Sequence, residues 1–131
     1  MADCMIIGDS IAKGVSDVRK DCIAYVQSGI NSRDWYRKFY DKPMGGRTVV
    51  ISLGTNDPEK IDTFEHLKTV RSMVDHADRV LWILPPIKPH VREIVMKMAD
   101  NYGDDVLELA QLSADGVHPT EKGYRAIAKE F

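Results

Sequence analysis

The sequence predicts an α/β fold in which a five-stranded parallel sheet is covered by helices on both sides. Short apolar runs of four to six residues alternate with longer helix-period segments along the whole chain. The connections between them are short, and strand–helix alternation of this kind builds parallel sheets. No linker, repeat or low-complexity stretch breaks the pattern. Residues 1–131 therefore read as a single domain, close to the commonest domain size.

The expected strands, in order, are Cys4–Ile7, Ile23–Gln27, Thr48–Leu53, Val80–Leu84 and Asp105–Leu109. Val49, Val50 and Ile51 give the third the β-branched character of a buried strand. Between the strands, Trp35, Tyr36, Phe39 and Tyr40 form a short aromatic helical face. Ile61, Phe64, Leu67, Val70 and Val74 recur at helical spacing, as do Val91, Ile94, Val95, Met98 and Tyr102. Tyr124, Ile127, Ala128 and Phe131 mark one side of a last helix, for which Thr120 is the expected N-cap. Five strands and five helices fit a flavodoxin-like, three-layer α/β/α order, although spacing alone leaves strand order open.

Hydrophobic residues make up 44% and charged residues 29%, which is ordinary globular usage and not disorder. A formal charge of -2, with basic residues scattered among acids, gives no reason to expect nucleic acid as a partner. The first ten residues carry only a short apolar stretch and no basic leader, and no segment approaches spanning length. A cytoplasmic protein without a membrane span is the expectation, with oligomeric state left open. Cys4 and Cys22 each open an apolar run outside any metal-spaced cluster, so buried reduced thiols are expected. A disulfide is geometrically open to them if their strands are neighbours.

The residues that follow the expected strands carry the chemistry. Strand one ends in Gly8-Asp9-Ser10, strand two in Ser28-Gly29-Ile30-Asn31 and strand three in Gly54-Thr55-Asn56-Asp57. The fifth leads into Asp115-Gly116-Val117-His118-Pro119. In a parallel sheet all four segments open on one edge, where such folds bind their ligands. A serine hydroxyl needs a base within hydrogen-bond reach, and His118 is the candidate. Asp115, three residues earlier, can fix the imidazole tautomer. Asn56 offers a side-chain amide, and Gly29 a backbone N–H without a Cβ in the way, for a developing oxyanion. The bland readings are a helix N-cap for Ser10, a helix-entry residue for His118, and plain turns for Asp115-Gly116 and Gly54–Asn56. What weighs against them is the joint occurrence of unlike groups at four strand ends.

These blocks resemble the SGNH (GDSL-like) hydrolases, named for the Ser, Gly, Asn and His of four motifs. The matching residues are Ser10 in Gly8-Asp9-Ser10-Ile11, Gly29, Asn56 in Gly54-Thr55-Asn56-Asp57, and His118 in Asp115-Gly116-Val117-His118-Pro119. The resemblance runs from near residue 4 to the end, including a closing helix that continues through Gly123-Tyr124. Ile11 stands where the GDSL string has leucine.

The resemblance implies a flavodoxin-like fold and metal-free ester or thioester hydrolysis through an acyl-enzyme, with no cofactor. It implies a triad of Ser10, His118 and Asp115. The implied oxyanion hole is the Ser10 and Gly29 amides and the Asn56 side chain.

The short connections suggest an open, shallow site suited to a small acyl group, acetyl or short-chain, on a carbohydrate. Lysophospholipase, thioesterase or acyltransferase activity would use the same residues. A non-catalytic binding domain would be expected to have lost one of them. A metal-dependent hydrolase would need Asp9, Asp57, Asp115 and His118 as ligands, and their spacing does not support it. His66 and His76 read as solvated helix residues, and His90 has no motif around it. Trp35 and Trp82 read as core, with Trp35 near enough to Gly29 to line the acyl side.

Overall fold

Every expected strand forms within two residues of its sequence-derived bounds in the computed structural model, which describes residues 3–131. The strands are β1 (Cys4–Gly8), β2 (Ile23–Val26), β3 (Thr48–Ser52), β4 (Arg79–Ile83) and β5 (Asp105–Leu107). The helices are α1 (Ser10–Val18), α2 (Ser32–Phe39), α3 (Thr63–Ser72), α4 (Pro89–Tyr102) and α5 (Glu121–Ala128). Asn31 caps α2 through the Asp34 amide, and Thr120 caps α5 through the Gly123 amide.

All strand pairs are parallel, in the order β2-β1-β3-β4-β5. This is the flavodoxin-like order, with its reversal between β1 and β3. Handedness then decides which face each helix covers. The connection from β1 to β2 runs one way across the sheet, and those from β2 to β3, β3 to β4 and β4 to β5 run the other. Right-handed crossovers therefore place α1 on one face and α2, α3 and α4 on the opposite one.

The two cores follow from that division and from the strand period of two. On one side Met5, Ile7, Val49, Ile51, Val80 and Trp82 meet Trp35, Leu67, Val70, Val95 and Met98. On the other, Ile6, Val50, Leu81 and Ile83 meet Ile11, Ala12 and Val15 of α1 and Ile127 of α5. Trp35 and Trp82 are both fully buried. The Trp35 indole donates to the Tyr25 carbonyl at 2.9 Å, so this residue is core and does not line the acyl side.

The expectation of reduced thiols is corrected. Cys4 and Cys22 form a disulfide, with Cα atoms 4.9 Å apart. The cause is register: Met5 stands opposite Ile23, which brings the preceding residues Cys4 and Cys22 side by side. Strand order, which spacing left open, decided the pairing. A disulfide is typical of oxidising surroundings, whereas the expected cytoplasmic setting favours reduced thiols. No described helix is long and apolar enough to cross a membrane.

Candidate active site

The chain turns sharply where β1 ends. Gly8 has φ +140°, and a Cβ there would stand 1.9 Å from the Ser52 carbonyl oxygen, so no other residue fits. The turn delivers Asp9 into the interior as the N-cap of α1. Its Oδ1 accepts from the Ile11 and Ala12 amides and from the Ser52 hydroxyl. Burial raises the Asp9 carboxyl to about 6, against the lowering effect of those hydrogen bonds. Its Oδ2 is buried without a partner among the described residues. The cap takes the Ile11 and Ala12 amides and leaves that of Ser10 as a first-turn donor at the positive end of α1.

Ser10 Oγ lies 2.7 Å from His118 Nε2, across 108 residues of sequence. His118 Nδ1 in turn lies 2.7 Å from Asp115 Oδ2. A carboxylate at Nδ1 keeps the proton on that nitrogen and leaves the Nε2 lone pair facing the serine. The loop that carries both residues is closed by its own backbone. Ser113 N donates to His118 O at 2.8 Å, and Thr120 N to Gln111 O at 2.8 Å.

The other Asp115 oxygen, Oδ1, accepts from the Val117 and His118 amides and the Ser113 hydroxyl, each at 2.9 Å. The His118 hydrogen bond first, and these three bonds after it, hold the Asp115 carboxyl well below the usual carboxylate range.

Gly29 and Asn56 follow the carboxyl ends of β2 and β3, on the same sheet edge as Ser10. Gly29 has φ +77° and open space where a Cβ would stand. Asn56 Nδ2 donates to the Ile30 carbonyl at 3.2 Å, which fixes the amide beside Gly29. Behind it, buried Asp57 accepts from the Ser32 amide at 2.7 Å and the Ser32 hydroxyl at 2.5 Å. The loop after β3 is thus tied to the start of α2, and Lys88 Nζ braces it through the Asp57 carbonyl at 2.9 Å.

With these groups in place, the overall likeness to solved structures can be stated. The chain resembles a putative acylhydrolase from Bacteroides fragilis NCTC 9343, with a TM-score of 0.73 and 18% identity. That match covers 96% of this chain and 82% of the other. A lipolytic protein of the G-D-S-L family from Veillonella parvula DSM 2008 matches with a TM-score of 0.68 and 17% identity, over 97% and 94% of the two chains. The chain shares the α/β fold of these two proteins, a five-stranded parallel sheet between helices. No protein-family model matches the sequence, and neither does any curated protein.

A cleft of about 720 Å³ opens between the loop after β3 and the start of α4. Pro58, Ile61, Val91 and Ile94 give it apolar walls, and Asp57 is its link to the neighbouring Asn56. Neither Ser10 nor His118 lines it.

Sequence reading missed the Ser32–Asp57 pair and the Ser52–Asp9 bond. Each joins residues from different strand ends, so no local pattern announces it. The one grouping of metal-type donors among the described residues is Cys4, Asp21 and Cys22. It lies at the opposite edge of the sheet, and its sulfurs are bonded to each other and not free thiolates.

Proposed function

We propose that this chain is a serine ester hydrolase in which Ser10 is the nucleophile, His118 its base and Asp115 the acid that orients the base. The observation that carries the reading is the unbroken line of hydrogen bonds from Ser10 Oγ to His118 Nε2 and from His118 Nδ1 to Asp115 Oδ2. Ser10 Oγ bonds to the ester carbonyl carbon while its proton passes to His118 Nε2. The carbonyl oxygen becomes an oxyanion, received by the Ser10 and Gly29 amides and Asn56 Nδ2. The tetrahedral species collapses, the ester C–O bond breaks, and the alcohol leaves with the proton from His118. Water then repeats the sequence on the acyl-enzyme, with His118 again taking and returning a proton. No step calls for a metal or cofactor.

The favoured substrate is a small acyl ester, acetyl or short-chain, on a carbohydrate. The side chains of His118 and Asp115 are 40% and 50% exposed, which leaves room for a bulky alcohol portion. A second reading, a longer acyl chain as in a lysophospholipid or thioester, is favoured by the apolar cleft beyond Asn56.

A chain-length series of p-nitrophenyl esters, run with wild type and Ser10→Ala, tests both. Turnover that is lost in Ser10→Ala and best with acetyl supports the first reading, and a maximum at longer chains supports the second. If no ester is turned over and a fluorophosphonate fails to label Ser10, the hydrolase reading falls and a binding domain takes its place.

A further inference from the structure

The catalytic distance between Ser10 and His118 depends on how two neighbouring helices sit. Ser10 begins α1 and His118 lies just before α5, and these helices pack against each other on the same face of the sheet. At their contact stands Gly14, one turn beyond Ser10. A Cβ on Gly14 would lie 2.3 Å from the Cε1 and Cζ atoms of Tyr124 and 2.8 Å from its hydroxyl oxygen. The phenol end of Tyr124 is therefore seated directly on the α1 backbone, in a place that only glycine leaves open.

Tyr124 is joined just as closely to the His118 loop. Its amide donates to the Thr120 carbonyl at 2.9 Å, two residues beyond His118. The adjoining Gly123 lets the backbone at Ala110 and Gln111 cross α5, with their oxygens 3.4 and 3.1 Å from where its Cβ would be. Pro119 packs on that same glycine and is bridged to Leu112. Burial raises the Tyr124 phenol, helped by the negative charges of Asp9, Asp115 and Asp17. By contrast, the loop from Ser113 to Gly116 has no buried residue of its own to hold it.

We infer that Tyr124 is a positioning residue whose ring, seated on Gly14, sets the separation of α1 from α5 and with it the reach of His118 to Ser10. This rests on the hydrolase reading for its kinetic consequence but not for its geometry. The contact transmits position only: Tyr124 makes no bond to substrate and takes no part in proton transfer.

The test is a four-member cycle of wild type, Gly14→Ala, Tyr124→Leu and Gly14→Ala/Tyr124→Leu, with kcat and KM measured on one p-nitrophenyl ester. An added methyl group that displaces α5 by about an ångström lowers kcat about 10²-fold and leaves KM within about twofold. Leucine at 124 removes the atoms that the new methyl group meets, so the double variant recovers at least tenfold of that loss, on the order of magnitude of the displacement effect. Alanine favours helix over glycine. A Gly14→Ala variant that melts higher and keeps wild-type kcat therefore overturns the inference.

If Gly14→Ala does not fold, Tyr124→Leu decides alone, since unchanged kcat there overturns the inference and a fall in kcat at constant KM upholds it. The His118 imidazole is followed by NMR in the same proteins. Its Nδ1 proton signal shifts in Gly14→Ala and returns in the double variant if the ring sets the geometry. That signal keeps the two readings apart. Absence of Ser10-dependent turnover in wild type overturns the hydrolase reading, while the NMR cycle still upholds or overturns the role of Tyr124.

Discussion

The Ser52 hydroxyl donates to Asp9 Oδ1 at 3.0 Å, and the Asp9 amide donates back to the Ser52 carbonyl at 3.0 Å. This reciprocal pair joins the ends of β1 and β3 where the strand order reverses. It fixes the residue before Ser10 from both backbone and side chain, yet leaves Asp9 Oδ2 buried without a partner among the described residues.

Asp9 makes folding stability depend on pH. Its folded-state value of about 6 lies above the ordinary 3.8, so the folded protein holds this proton more tightly than the unfolded chain. The stability it contributes is complete below pH 3.8 and is lost as pH rises through about 6. Asp9→Asn keeps an acceptor for the cap and removes the titration. Melting temperature measured from pH 4 to 7.5 is expected to fall less steeply in Asp9→Asn than in wild type.

Asp115→Asn is expected to fold normally and lose roughly 10⁴-fold in kcat, because an amide at Nδ1 favours the wrong imidazole tautomer. Its carboxyl is held below the usual range, so its contribution to stability is complete above the ordinary value and lost only as pH falls through the lower folded value. Steady-state kinetics together with circular dichroism separate lost chemistry from lost fold. Unchanged kcat would remove Asp115 from the triad.

Asn56→Ala is expected to lower kcat by about 10²- to 10³-fold with little change in KM, as for a donor that meets only the transition state. The same variant frees the Ile30 carbonyl of its 3.2 Å bond. A fall confined to KM would show that the amide holds substrate and not the oxyanion.

Ser32→Ala removes the hydroxyl bound to Asp57 Oδ2 and leaves a buried carboxylate oxygen without that donor. A loss of about 1–3 kcal/mol in stability is expected from denaturant unfolding. Asn56 adjoins Asp57, so kcat is expected to fall as well, though by less than in Asn56→Ala.

Reducing the Cys4–Cys22 bond, which spans a separation of 18 residues, is expected to cost about 3 kcal/mol of stability. Ser10-dependent turnover should remain near wild type below the new melting temperature, because the bond lies at the far edge of the sheet. Thermal unfolding with and without reductant, beside ester turnover, measures both.

Strand and helix positions were legible because Val49–Ile51 and Phe64–Leu67–Val70 follow the periods of buried strand and amphipathic helix, while Ile61 and Val74, expected on that helical face, flank α3. The polar strand ends were legible because Ser10, Gly29, Asn56 and His118 each sit just past an apolar run or on the loop after one. Other features depended on which strands are neighbours. Cys4 and Cys22 face each other through the β1–β2 register, and Ser52 reaches Asp9 through the β1–β3 register. Ser32 and Asp57 meet only because α2 starts beside the loop after β3. The apolar cleft is a space between the loop after β3 and the start of α4, and no single run of residues encodes it.

Ser10 and His118 belong to the first and last helical regions of the chain, brought together only because α1 and α5 share one face of the sheet. During synthesis Ser10 emerges more than a hundred residues before His118. A ribosome-bound chain would hold Ser10 without this partner until α5 docks. The Ser10–His118 hydrogen bond would therefore report the docking of α5 beside α1, and its appearance in a refolding experiment would time that step.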